Sequence, residues 1–178
     1  MSEPVPLETP FPDSYWVIPG HLLAGAYPGT RRSEEETRRR LRRMISMGIN
    51  YFLDLTQTEE LQSYHPLLDQ EAAALQRPVE HHRYPIRDLD IPVEQQMVEI
   101  LDAIDQAILA GKVLYVHCWG GIGRTGTVIG CYLARHGLVG DQGLKYIAER
   151  RRNIPDWIYR SPETEAQWAM VRNWPAGK

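Results

Sequence analysis

Cys118 and Arg124 bracket the run Cys118-Trp119-Gly120-Gly121-Ile122-Gly123-Arg124, in which five residues, three of them glycine, separate a thiol from a guanidinium. A cysteine thiolate is a strong nucleophile, and the planar arginine fork binds two oxygens of a phosphate-like anion at once. Glycines between the two let the backbone come close to a ligand, so that successive N–H groups converge on one anion. Residues 113–116 form a short apolar run of β type. Residues 125–136 carry no proline and only Gly126 and Gly130 before Gly137. The spacing predicts a strand, a tight loop and a helix N-terminus, whose partial positive charge adds to the cradle. The chemistry that follows is attack by Cys118 on a phosphate held by Arg124 and the backbone of Trp119, Gly120, Gly121, Ile122 and Gly123.

Other elements must hold that loop in place. Residues 15–18 and 22–24 are short strands around the Pro19-Gly20 turn. Ser33 with Glu36 has the pattern of a capping box. Glu34, Glu35 and Glu36 sit at the positive end of that helix, each four residues before an arginine (Arg38, Arg39, Arg40), with Leu41, Met44 and Ile45 as the buried stripe. A buried strand is predicted over 49–55, a short helix over 67–75 and an alternating strand over 79–86. Residues 93–110 form the clearest helix, its apolar face built from Val93, Met97, Ile100, Leu101, Ile104 and Ile108. Asp141 caps a helix reaching about residue 151, and Ser161-Pro162-Glu163 opens a last one with proline at its first position. Strands alternating with helices indicate an α/β fold, a central mostly parallel β-sheet flanked by helices in a single domain. Ligands bind such sheets at the C-terminal ends of strands, where Cys118 falls.

The chain of 178 residues suits one domain with a real core. Residues 1–13, with four prolines, read as an extended arm before a catalytic domain over 14–175. A net charge of −3 exerts no global pull on nucleic acid. No stretch approaches the ~20 apolar residues of a membrane span, and the first residues lack the basic and apolar regions of a signal peptide. Two cysteines make no disulfide framework, so a free thiol and a cytoplasmic setting are expected.

The run His117-Cys118-x5-Arg124-Thr125 resembles the signature of the cysteine-dependent protein tyrosine phosphatases, and the short chain looks like their compact dual-specificity branch. Further likeness lies in Trp16 to Gly25, similar to the entry strands of compact phosphatases, and the match extends over roughly residues 15–174. The resemblance implies a phosphocysteine intermediate on Cys118, with Arg124 binding phosphate and stabilising the transition state. Thr125 would donate its hydroxyl to the departing sulfur, and His117 would bond backbone near the loop and tune the thiol. Neither cofactor nor metal is implied. Relatives also carry an aspartic acid about thirty residues upstream that protonates the leaving oxygen, needed because a tyrosinate has a pKa near ~10. Asp88, with Pro92 four residues later, fits the pattern Asp-x-x-x-Pro; Asp90 is the alternative. Gln167 either positions the hydrolytic water or packs on the last helix. The implied substrate is a phosphorylated protein, phosphotyrosine first and phosphoserine or phosphothreonine besides. Alternatives are a phosphoinositide or inositol phosphate, disfavoured because the loop has no lysine, and a non-catalytic module that only binds phosphoproteins.

Plainer readings cover the remaining polar residues. Cys131 reads as a small buried hydrophobe rather than a partner of Cys118. His81 and His82, adjacent on a strand, point to opposite faces and share no ion. Asp54 reads as a loop or capping residue. Arg38 to Arg43 form a solvated face neutralised by the glutamates, and Arg150 to Arg152 read similarly. Trp119 either packs behind the loop or lines the pocket mouth.

Overall fold

The computed structural model describes residues 8–30 and 33–178. Strands β1 (Ser14–Ile18) and β2 (Leu22–Gly25) form an antiparallel hairpin, turned at Gly20 with φ of 76°. Then follow α1 (Glu34–Ser46), β3 (Tyr51–Asp54), α2 (His65–Ala74), β4 (Glu80–Arg83), α3 (Glu94–Leu109), β5 (Leu114–His117), α4 (Gly123–Arg135), α5 (Asp141–Arg150) and α6 (Glu165–Asn173). The five-stranded sheet runs β1-β2-β5-β3-β4, with every pairing after the first parallel. β5 is therefore central, and the residue after it emerges between its parallel neighbours β2 and β3.

Strand alternation divides the core into two layers. Tyr15, Val17, Leu22, Ala24, Leu53, Leu114 and Val116 face α3, α4, α5 and α6. Trp16, Leu23, Phe52 and Tyr115 face α1 and α2. Cys118 continues the parity of Leu114 and Val116 and joins the first layer. α4 is buried along almost its whole length, as a helix covered on several sides must be. Gly130 lets α6 pack close, since a Cβ there would lie 2.6 Å from Val171 Cγ2.

Phe11 and its neighbours pack rather than trail: Phe11 is buried in the second layer, and the Trp16 indole donates to the Glu8 carbonyl at 3.0 Å. Residues 1–7 of the expected arm lie outside the described residues. Two helix starts differ from expectation. Gly140, not Asp141, occupies the cap of α5, leaving Asp141 to bind Arg172 at 2.6 Å. α6 begins after Thr164, which forms a full capping box with Gln167. Ser161 cannot serve there because its hydroxyl is committed to the Ile122 carbonyl at 2.8 Å. The arginine face of α1 is also less solvated than expected. Glu34 pairs with Arg38 and Glu36 with Arg40, but Arg38 and Arg42 both turn to Glu71 of α2, which is nearly buried. No helix among the described residues is long and apolar enough to cross a membrane.

Candidate active site

The loop after β5 is held from below by tight backbone contacts. Gly121 has φ of 68°, and a Cβ there would stand 2.4 Å from the Gly25 carbonyl carbon. Only glycine meets both demands. The Trp119 carbonyl accepts the Tyr27 N–H at 2.8 Å, and the Thr127 hydroxyl donates to the Gly123 carbonyl at 2.8 Å. α4 starts at Gly123 with no side-chain cap and no acidic residue in its first turn. Its first N–H groups thus stay available at the positive end of the helix dipole.

These constraints open a cavity of about 280 Å³ lined by Asp88, Leu89, Cys118, Trp119, Gly120, Ile122, Gly123, Arg124 and Glu163. Cys118 is buried at its floor, and Trp119 stands 59% exposed at its mouth, which decides between the two readings of that indole. Arg124 is 2% exposed, and its terminal nitrogens are taken by carboxylates. Nη1 and Nη2 donate to the two oxygens of Glu60 at 2.7 and 2.6 Å, Nη1 also reaches the Ile86 carbonyl, and Nη2 lies 3.0 Å from Asp88 Oδ1. The Arg124 guanidinium in turn holds the Glu60 carboxyl below its ordinary range. Arg124 Nε, by contrast, is buried without a partner, and so is the Thr125 hydroxyl. A buried donor without a partner calls for a physical account, and a ligand in the adjoining cavity would complete Arg124 Nε.

Asp88 and Asp90 part company here. Asp88 lines the cavity, whereas Asp90 turns its carboxylate onto its neighbour's N–H, that of Ile91, at 2.9 Å. Leu89 between them has φ of 62°. Gln167, fully buried, ties this segment down: its Nε2 donates to the Asp90 carbonyl at 3.1 Å while its Oε1 accepts the N–H groups of Glu163 and Thr164.

Behind the loop, on the opposite face of the sheet, His117 follows Tyr115 in parity. Burial pushes its imidazole below the ordinary histidine value against the opposing pull of Asp54, and so favours the neutral ring. The Tyr64 hydroxyl, buried and well above its ordinary pKa, donates to Nε2 at 2.8 Å, which leaves Nδ1–H to donate to the Cys118 carbonyl at 3.1 Å. Asp54 is a hub rather than a simple cap. It accepts from the Thr56 N–H and hydroxyl, takes Arg83 at 2.9 Å, and lies 3.6 Å from His81 Nε2. Although burial opposes its charge, His117, His81 and Thr56 hold its carboxyl well below the ordinary range. His81 stacks on His65 and His82 on Tyr51, so the adjacent imidazoles diverge. Cys131 is fully buried in α4, where desolvation pushes its thiol up.

Glu60 is the site residue that sequence reasoning missed. It stands in the β3–α2 connection, 64 positions from Arg124. Glu163 was also passed over, as part of a helix start. The signal available for Glu60 was topological: an acidic loop following a strand next to β5 must arrive at the same crevice.

An uncapped helix N-terminus, a buried thiol and a buried arginine lining one cavity, on this sheet order, are the frame of a tyrosine-phosphatase-like domain. The chain belongs to that family: residues 12–173 match the model of the Swiss Army Knife protein DSP-PTPase phosphatase domain. It is similar to the dual specificity protein phosphatase CDC14B of the mouse (Mus musculus), 31% identical over 124 residues that make up 70% of this chain and 24% of that protein. The chain spans 20–24% of the length of the vertebrate relatives it matches. Among solved structures it resembles Tk-PTP in the active form, with TM-score 0.69 and 24% identity over 92% of this chain and 97% of that one. It also resembles PTPMT1 in complex with PI(5)P, with TM-score 0.64 and 18% identity over 90% and 93%. At these identities the likeness is one of fold.

Proposed function

We propose that this domain, residues 14–175, hydrolyses phosphomonoesters of proteins, phosphotyrosine first and phosphoserine and phosphothreonine besides, through a phosphocysteine on Cys118. The observation that carries the reading is the pair of unpartnered buried donors, Arg124 Nε and Thr125 Oγ1, in the first turn of an uncapped helix whose preceding loop opens on the buried Cys118 thiol. A phosphoryl group bound there takes Arg124 Nε and the loop N–H groups of residues 119–124. Its negative charge displaces Asp88 from Arg124 Nη2 and leaves that carboxyl at the mouth, on the side of the leaving oxygen.

Cys118 Sγ then attacks phosphorus as the ester P–O bond breaks, and Asp88, which takes up a proton from solvent once parted from Arg124, passes that proton to the departing oxygen. In the second step water attacks the phosphocysteine, Asp88 takes the water's proton, and the Thr125 hydroxyl donates to the sulfur as the S–P bond breaks. Arg124 follows the equatorial oxygens through both steps, with Glu60 fixing the plane of its fork. His117 acts on the loop through the Cys118 carbonyl and exchanges no proton with substrate, as its neutral, doubly bonded ring supports. Gln167 positions the Asp88 segment. Free thiols at both cysteines suit a reducing compartment such as the cytoplasm.

Turnover of a phosphotyrosine peptide, a phosphothreonine peptide and an inositol phosphate, each with and without orthovanadate, tests the reading. It expects the phosphotyrosine peptide to be hydrolysed fastest and orthovanadate to block it. Hydrolysis of the inositol phosphate alone, or of none of the three, would overturn it.

A further inference from the structure

Glu163 differs from Asp88, which shares its cavity, and from Glu60 behind Arg124 in having no cation paired with it among the described residues. Glu60 and Asp88 both engage Arg124. Glu163 lines the same cavity, with Oε2 3.1 Å from where a Cβ of Gly123 would stand, yet its carboxylate makes no ion pair or hydrogen bond among the described residues. The arginine nearest in sequence is committed elsewhere: Arg160 binds Glu165 at 2.8 Å and lies 3.5 Å over the Trp168 ring. Its own main chain is fixed, because the Glu163 N–H donates to Gln167 Oε1 at 3.0 Å. The exposed carboxylate stands at the rim.

Among the described lining residues Arg124 is the one cation, and it already faces two carboxylates. Arg87 is exposed beside Asp88 and does not line the cavity. One phosphoryl group uses Arg124 and the loop amides. A second phosphate on the same substrate would meet Glu163 with no cation to offset it, and like charges brought together at a recognition surface weaken binding. A neutral or cationic neighbour meets no such opposition.

Resting on the reading of this cavity as a phosphomonoester site, we propose that Glu163 determines specificity by charge. It admits an isolated phosphate flanked by neutral or basic groups, as in a phosphopeptide with lysine or arginine beside the phosphoresidue, and turns away vicinal bisphosphates and polyphosphorylated inositols.

The test compares Cys118→Ser with Cys118→Ser/Glu163→Gln in the 178-residue chain by calorimetric titration at low salt. Probes are a phosphotyrosine peptide with neutral flanks, the same peptide with a flanking lysine, and an inositol bisphosphate with adjacent phosphates. Glu163→Gln is expected to tighten the bisphosphate about tenfold, to weaken the lysine-flanked peptide about threefold, and to leave the neutral peptide within about twofold. Each change shrinks as salt screens an exposed carboxylate. Equal shifts for all three probes, or none, overturn the inference while phosphate binding itself stands. Failure of every probe to bind Cys118→Ser overturns the phosphate site and the inference together. A third measurement separates charge selection from proton transfer: if Glu163→Gln on the active enzyme removes a limb of the pH–rate profile for a phenyl phosphate, Glu163 is an acid or base and the proposal fails.

Discussion

The two faces of β5 treat polar groups in opposite ways. On the α1–α2 face, Asp54 bonds Thr56 and Arg83 and Tyr64 bonds His117, and among the described residues His81 Nε2 is the single buried side-chain atom there without a partner. On the face of Cys118 the remaining unpartnered buried atoms gather: Tyr15 Oη, Arg124 Nε, Thr125 Oγ1 and Arg151 Nε. The Arg151 guanidinium reaches the Tyr159 carbonyl at 2.8 Å through Nη1. A hydrogen-bonded network backs the loop from behind, whereas the other buried atoms without a partner lie on the side of Cys118. A buried polar group is costly where nothing completes it, so the two faces differ in how far their polar groups are satisfied.

Breaking the reactive face should produce the largest effects. Cys118→Ser should reduce turnover of any phosphomonoester by more than about 10³-fold while phosphate still binds, since the cradle does not depend on the nucleophile. Asp88→Asn should slow phenyl phosphate about 10²- to 10⁴-fold, yet slow an ester with an activated leaving group by less than about tenfold. If Asp90→Asn gives that pattern instead, the acid is misassigned.

Breaking the structural face should cost stability. The Asp54 carboxyl is held below its unfolded value, so its contribution is present above about pH 4 and disappears as the pH falls through the lower folded value. Asp54→Asn should therefore lower unfolding free energy by about 2–3 kcal/mol at pH 7 in a urea titration, with a smaller loss near pH 3. An equal loss at both pH values would show that shape, not charge, matters there.

Glu60 belongs to both faces, being a structural partner of a reactive group. Glu60→Gln should lower kcat about tenfold through misorientation of the Arg124 fork. KM should not rise, because removing a carboxylate beside Arg124 strengthens its pull on an anion. A raised KM with unchanged kcat would make Glu60 a binding residue only.

The sequence made the reactive loop legible because its chemistry demands fixed residue types at short range: a thiol, glycines for close backbone approach, and an arginine within one turn. The α/β order was legible from alternating apolar runs, and the segment of Asp88 came to notice through its likeness to the compact phosphatases, whose Asp-x-x-x-Pro pattern it carries with Pro92. What escaped was set by contacts distant in sequence. Glu60 meets Arg124 through the neighbouring positions of β3 and β5, and no periodicity marks it. Asp54 was read as a local cap because its partners His81, Arg83 and His117 come from two other strands. The start of α6 was misplaced for the same reason, since Ser161 is drawn away by a loop 39 positions earlier.

The most direct measurement is to mix the enzyme with an aryl phosphate, quench with acid during turnover, and map the adduct by peptide mass analysis. The account predicts one phosphoryl group on the peptide containing Cys118, lost by hydrolysis when the quench is delayed and absent, with turnover, in Cys118→Ser. Steady hydrolysis without that adduct, or hydrolysis retained by Cys118→Ser, would contradict it.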